Sequence, residues 1–393
     1  FQAVAHQNTI FNQLFHFIPR HVFSRVVDQL QADRYTKSFT AWQQCLVLLY
    51  AQISGKDSLR AIESGLLAHR FRLYHLGLPA VARSTLADAL QRRPSALFET
   101  LFYALLHRAQ AVAPRHKFRF HNPLFTFDST TIDLCLSVFD WARFRKQKGA
   151  IKLHCQLDHR GHLPNFLVMT DGLGHDLTVA RHHVQPVPDS IYCFDRAYLG
   201  LPWLNELQDC GAFFVTRALK HQSYRVVGQH SQSSSPGILA DQIIELEGSV
   251  SRRKYPHRLR LVTFRDPTSN RLYRFLTNHF HLAASTIAEI YRQRWQIEIF
   301  FKWIKQNLEI KTFLGTSRNA VMAQIWVAML YYLLLSYIKF LSRIPFSITE
   351  LTRRIQDTLL HRLDLLEVLA LTRTPPPHLP PDFDPPQLSL FPT

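Results

Sequence analysis

The chain is short of acids and of paired cysteines, and each shortage closes off a class of protein. Its five cysteines (Cys45, Cys135, Cys155, Cys193 and Cys210) are scattered, odd in number and include no C-x-x-C pair. That excludes a disulfide framework and a zinc knuckle, and it reads as reduced cytosolic thiols. Aspartate and glutamate total 29 against 46 lysines and arginines, a formal charge of +17 over 393 residues. Such an excess is expected to meet a polyanion, with nucleic acid the commonest and an anionic membrane surface the competitor. No secretory leader opens the sequence, which begins at Phe1 rather than methionine, as a trimmed or partial chain would. Charge is missing altogether from Asn319 to Ile338, a run long enough to cross a bilayer. Gln324 interrupts that run and no second span accompanies it. A buried core helix is therefore the expectation, and partition of this segment into detergent would indicate a membrane protein instead.

With 47% hydrophobic residues the chain is globular and long enough for two or three domains. Residues 1–115 read as a helical N-terminal domain. "FTAWQQCLVLLYAQISG" has helical apolar spacing, and in "LGLPAVARSTLADALQRRP" Ser84 sits where an N-cap would and Pro94 stops the helix. Arg83, Ser84 and Thr85 would then stand at a helix start, the end a recognition helix offers to DNA, although no specific helix-turn-helix signature is present. Past this point the period changes. "PLFTFDST", "AIKLHCQLD", "LPNFLVMTDG", "SIYCFD" and "AFFVTRA" read as strands, with helices at "HDLTVARHHV" and "LPWLNELQDCG" and a basic loop at "WARFRKQKG". The order β-β-β-α-β-α-β is an α/β pattern with a mixed sheet. Four further short strands fill residues 220–280, a helix follows at 285–310, and the tail from Pro375 is proline-rich and expected to be extended.

The stretch "YRQRWQIEIFFKWIKQ" places Arg294, Glu298 and Lys305 at 3, 7 and 14 residues from Tyr291. On one helix these four fall within a stripe roughly 60° wide. An acid between a phenol and two cations suits a metal and phosphate site, whereas a surface helix with an Arg294–Glu298 pair is the plain alternative. Two other acids, Asp128 in "FTFDST" and Asp195 in "IYCFDRAY", follow apolar runs and would emerge where buried strands reach the sheet edge. Open α/β sheets place ligands there, though acids after strands also start turns. A two-metal phosphoryl-transfer site needs such a set of carboxylates. His154, His159, His162, His175, His182 and His183 cluster in sequence but show no recurring zinc-ligand spacing, and the alternative is that His175 and Asp176 support the carboxylate site from behind.

The interval Y-x2-R-x3-E-x6-K met by Tyr291, Arg294, Glu298 and Lys305 resembles the signature of bacterial insertion-sequence transposases of the DDE type, in the insertion-sequence-four family. "FDST" at Asp128, "KGAIKLH" (Lys148 to His154), "DGLGHD" (Asp171 to Asp176), "DRAY" at Asp195 and "FVTR" (Phe214 to Arg217) match that family in place and order, over about residues 120–340. The resemblance implies an RNase H-like mixed-sheet core in two parts, residues 116–219 and 281–345, split by the β-rich insertion at 220–280. A C-terminal helical region at 346–374 and a flexible tail at 375–393 complete the expected division. It also implies that Asp128, Asp195 and Glu298 hold two Mg²⁺ ions, with Mn²⁺ able to substitute, while Tyr291, Arg294 and Lys305 hold DNA phosphates. The implied activity is cut-and-paste transposition by a homodimer that pairs the element's double-stranded DNA ends, through hairpins as in similar enzymes. The expected location is the cytoplasm, in association with the nucleoid.

Two departures from the family stand out. Ala197 occupies a position where many members have glycine, and residues 204–294 lack the tryptophan on which some relatives stack a flipped base. Tyr224, Tyr255 and Tyr273 are the available substitutes. In the tail, "QLSLF" (Gln387, Leu388, Leu390 and Phe391 with Ser389) resembles the peptide by which bacterial proteins dock on the replicative sliding clamp. An RNase H-like nuclease without transposition, or a non-catalytic DNA-binding descendant, are the competing readings. The helical region and insertion weigh against the first, and the presence of all three carboxylates weighs against the second.

Overall fold

The structure, a computed structural model, describes residues 8–370 apart from 79, 135–138, 140, 146–147, 172–174, 231–234 and 308–312. The proline-rich tail and its QLSLF peptide therefore lie outside the described residues, as do Cys135 and part of "DGLGHD". The chain opens with α1 (Ile10–Phe15), α2 (Arg20–Gln29), α3 (Ala41–Ile53), α4 (Leu59–Ala68), the single turn α5 (Arg70–Leu73), α6 (Arg83–Arg92) and α7 (Ala96–Val112). Start and stop chemistry explains several of these ends. Thr40 and Gln43 form a reciprocal capping box on α3, and Arg93 turns extended before Pro94 to end α6. Ser84 does not cap α6, contrary to the sequence expectation. The N-cap is Ala82, and Glu63 of α4 accepts the Arg83 N–H at 3.0 Å, supplying from a neighbouring helix what a local side chain would have given.

The middle of the chain gives β1 (Leu124–Leu134), β2 (Arg143–Arg145), β3 (Lys148–Asp158), β4 (Leu163–Asp171), α8 (Asp176–His183), β5 (Ile191–Phe194), α9 (Leu201–Asp209) and β6 (Phe213–Arg217). Part of the basic stretch read as loop is thus the short strand β2, which pairs back onto the start of β3. β1 runs antiparallel to β3 and β3 antiparallel to β4, while β1 is parallel to β5 and β5 parallel to β6. That order, β4-β3-β1-β5-β6, with an antiparallel meander beside two parallel crossover strands, is the RNase H arrangement.

β7 (Tyr224–Gln229), β8 (Ile238–Leu246), α10 (Ser249–Lys254), β9 (Leu259–Arg265) and β10 (Leu272–Thr277) follow. The four strands match the four read from sequence, and α10 was not foreseen. They extend the same sheet: β10 pairs antiparallel with β6, and β9, β8 and β7 follow outward, giving ten strands among the described residues. The backbone edge that β6 would otherwise expose is covered in this way.

The chain closes with α11 (Ala284–Gln293), α12 (Trp295–Asn307), α13 (Arg318–Ser342), α14 (Ile348–Thr358) and α15 (Leu365–Ala370). α13 contains the uncharged run, and 89% of its most apolar window is buried inside the protein. It packs along α7 and α3, and one continuous core takes in the N-terminal helices, β3, β4 and α12 to α15. Asn319 fixes the start of α13 by accepting from the Ser95 N–H and donating to the carbonyls of Leu90 and Arg93. The helix is apolar all round because it is surrounded by protein.

Trp326 of α13 meets Phe102 of α7 at 5.1 Å between ring centroids and is 1% exposed. Trp326→Ala is expected to lower unfolding free energy by about 3–5 kcal/mol, measured by chemical denaturation. A loss under about 1 kcal/mol would contradict a close-packed contact there.

Candidate active site

β1 and β5 run side by side only as far as the pair Phe127–Phe194. Asp128 and Asp195 are the next residues on the two strands, so parallel pairing brings both acids to the same height. Asp195 follows the end of β5, as expected, and caps a 3₁₀ turn at Arg196–Tyr198. Asp128 does not end its strand. β1 continues to Leu134, paired on one side only with β3, because β3 is as long as β1 while β5 has four residues. Each carboxylate also accepts the N–H of the residue that follows it, Ser129 at 2.8 Å and Arg196 at 2.7 Å.

The expected single helix over 285–310 is two helices, with Arg294 at the break; residues 308–310 lie outside the described residues. Around the break the N–H bonds close three residues back, from Arg294 to Tyr291 and from Ile297 to Arg294, which tightens the turn. The Arg294 guanidinium lies between two of the acids. It donates to Glu298 Oε1 at 2.6 Å and to Asp128 Oδ2 at 3.3 Å, and is 14% exposed. Asp195 is gripped differently: Arg217, from the end of β6, donates at 3.2 Å and the Tyr291 hydroxyl at 3.3 Å. Both guanidinium groups lie over the Tyr291 ring, at 5.6 Å for Arg294 and 5.8 Å for Arg217. Asp128, Asp195, Glu298, Tyr291 and Arg294 are thus one connected group. Lys305 is exposed on α12, two turns beyond Glu298, and takes no part in it. Arg83, Ser84 and Thr85 are exposed at the start of α6, on an element that contributes nothing to this group.

The charges respond to these surroundings in opposite directions. Burial pushes Asp128 up to about 6, and the Ser129 N–H and Arg294 only partly oppose it while Glu298 and Asp195 add to it. For Asp195 burial also works upward, but the Arg196 N–H, Arg217 and Arg294 outweigh it and the carboxyl is held below its usual range. Among the described residues no group of three or more acids, histidines or cysteines is close enough to hold a metal ion as it stands. The donor set nevertheless suits a hard divalent cation, since all three side chains offer carboxylate oxygens. A cationic group, the Arg294 guanidinium, already occupies the space between two of them. The histidines go elsewhere: His159 bonds to Thr126 at 2.5 Å, and His154 lies buried against Thr170 and Asp176.

Two residues bear on the sequence departures. Ala197 is right-handed within its turn and absent from the described non-glycine residues with positive φ, so glycine is not required. Trp295 was missed. It is 59% exposed and lines a cavity of about 510 Å³ with Phe264, Tyr273, Phe275, Tyr291 and Arg294. Its place directly after Arg294 was the available signal. Of the three tyrosines, Tyr273 lines this cavity, Tyr255 is buried in the core and Tyr224 bonds to Arg274.

Residues 120–334 match the family described as the transposase DDE domain, and residues 6–79 match a domain of unknown function. A probable transposase for insertion sequence element IS5377 of Geobacillus stearothermophilus is 32% identical over 266 residues, covering 67% of this chain and 68% of that protein. The putative transposase y4zB of Sinorhizobium fredii is 32% identical over 308 residues, 77% and 85% of the two chains. The structure also aligns with piggyBac transposase in the cryo-EM structure of its synaptic complex with hairpin DNA, at 10% identity and a TM-score of 0.47, over 94% of this chain and 83% of that one.

The raised Asp128 carboxyl has a consequence for stability in the absence of metal. A group that binds its proton more tightly folded than unfolded stabilises the fold below its unfolded value, and that contribution is lost as pH rises through its folded value. Against an Asp128→Asn reference, the wild type is expected to lose stability between about pH 4 and about pH 6. Unfolding free energies of both proteins across that interval give the measurement. A difference that stays flat would mean that Arg294 already keeps the carboxylate ionised.

Proposed function

The chain belongs to the DDE transposases of bacterial insertion sequences, and we propose that it excises its own element and joins the ends to target DNA by metal-dependent phosphoryl transfer. The observation that carries this reading is the joining of Asp128, Glu298 and Asp195 into one group through Arg294 and Tyr291. In this reading the three carboxylates hold two Mg²⁺ ions, with Mn²⁺ as a substitute. When bound, such a pair of ions supplies positive charge to the attacking and leaving oxygens of an in-line displacement at phosphorus. The residues of the chain position the strand. Arg294 exchanges its carboxylate partners for a phosphate of the DNA, Lys305 reaches a further phosphate from the exposed face of α12, and Tyr291 holds Asp195 in place while offering its hydroxyl to the backbone. The insertion-sequence-four signature of Tyr291, Arg294, Glu298 and Lys305 is assigned on the same grounds.

Sequence recognition is assigned to the exposed first turn of α6, where Arg83, Ser84 and Thr85 can reach base edges or phosphates. The Glu63 carboxylate already accepts the Arg83 N–H, so that one backbone donor of the first turn is engaged within the protein. The proposed assembly is a homodimer on the paired element ends, with the QLSLF tail as a separate docking peptide for the sliding clamp.

Glu298→Gln is expected to abolish cleavage of the element's ends in Mg²⁺ while leaving end binding within about twofold, because shape is kept and the ligating charge is removed. Normal cutting by this variant would sink the assignment. Arg294→Ala and Lys305→Ala should each make the salt dependence of end binding shallower by about one phosphate contact. Unchanged slopes and rates would mean that neither side chain contacts DNA.

A further inference from the structure

A fourth carboxylate lies beside the site and is not accounted for by the chemistry. Side chains alternate along β1, so Asp128 and Ser129 point to opposite faces of the sheet. On the Ser129 face, its hydroxyl donates to Asp176 Oδ1 at 2.7 Å. Lys152 of β3 reaches the other oxygen of Asp176 at 2.8 Å, and His154, paired with Ser129 in register, places Nδ1 at 3.4 Å from Oδ1. The fifth member comes from the second aspartate's turn. Tyr198 is 1% exposed, and its hydroxyl faces Ser129 and Asp176 without reaching hydrogen-bond geometry with either. Residues from β1, β3, α8 and the turn after Asp195 therefore meet at Asp176.

We infer that Asp176 is a positioning residue for the active site, acting through Ser129 on Asp128; the inference rests on the carboxylate assignment proposed above. The lever is the peptide between them. The Ser129 N–H holds the Asp128 carboxylate at 2.8 Å on one face of the sheet, while the Ser129 hydroxyl is held by Asp176 on the other. Gripping the side chain fixes the orientation of the N–H, and so of the carboxylate that it anchors. The Asp176 oxygens are directed at Ser129, Lys152 and His154. An ion pair that merely fastened α8 to the sheet would need Lys152 alone and would not engage the neighbour of Asp128.

The experiment uses the full chain bound to its element's end DNA, with Mn²⁺ as the probe, titrated by the loss of the free-ion electron paramagnetic resonance signal. Ser129→Ala is expected to weaken Mn²⁺ binding about 10- to 100-fold, with metal-free end binding and the unfolding midpoint close to wild type. Raising Mn²⁺ should recover cleavage, and Ser129→Thr, which keeps the hydroxyl, should behave as wild type. Asp176→Ala should weaken Mn²⁺ binding in the same way, but it also removes the ion pair with Lys152 and can lower stability, so Ser129→Ala decides. Wild-type Mn²⁺ affinity in Ser129→Ala, or a Ser129→Thr variant as defective as Ser129→Ala, would overturn the inference. Glu298→Gln run in parallel separates the two levels. If it loses Mn²⁺ binding while Ser129→Ala does not, only the positioning role fails; if it binds and cuts normally, the carboxylate assignment fails and the inference falls with it.

Discussion

Acids brought to one end of a sheet repel each other, and in this protein the Arg294 guanidinium set between Asp128 and Glu298 makes their approach tolerable. Like charges near a protein surface repel by on the order of 4 kcal/mol at about 4 Å and by less at wider separation, and the interposed guanidinium offsets that repulsion. Much of the surrounding structure serves to put the guanidinium there. The tight turn at the junction of α11 and α12 aims it inward, the Tyr291 ring lies beneath it, and the Cys193 thiol donates to the Ile290 carbonyl, tying β5 to α11. Asp195 is balanced separately by Arg217, which belongs to the neighbouring parallel strand. The carboxylates are therefore held in place by cationic groups that suit a phosphate equally well.

The position of α12 also connects the chemistry to the rest of the molecule. Glu298 is on one side of the helix, while Ile297, Phe300, Phe301, Trp303 and Ile304 are buried in the core that α13 shares with the N-terminal helices. α6, which carries Arg83, Ser84 and Thr85, belongs to that core and touches the start of α13. The helical region and α12 are thus joined through packed side chains.

The sequence by itself determined what depends on near neighbours in the chain. Strand and helix periods, the stop at Pro94, the apolar runs leading to Asp128 and Asp195 and the spacing of Tyr291, Arg294 and Glu298 are local patterns, and the elements they indicate are present except that the single helix expected over 285–310 is two. These were enough to identify the α/β core and to nominate the acids. The tertiary structure decided whatever depends on a partner far along the chain. Glu63 replaced Ser84 as the cap of α6 because a carboxylate from another helix was within reach. The long β3 carried β1 past Asp128, and the exposed edge of β6 drew the inserted strands into one sheet. Asp176 came to rest on Ser129, 47 residues away, and Arg294 on Asp128, 166 residues away. Hydrogen bonds and ion pairs act over a few ångströms of space, and sequence spacing fixes such distances only within a helix or strand; across the chain, packing alone can set them.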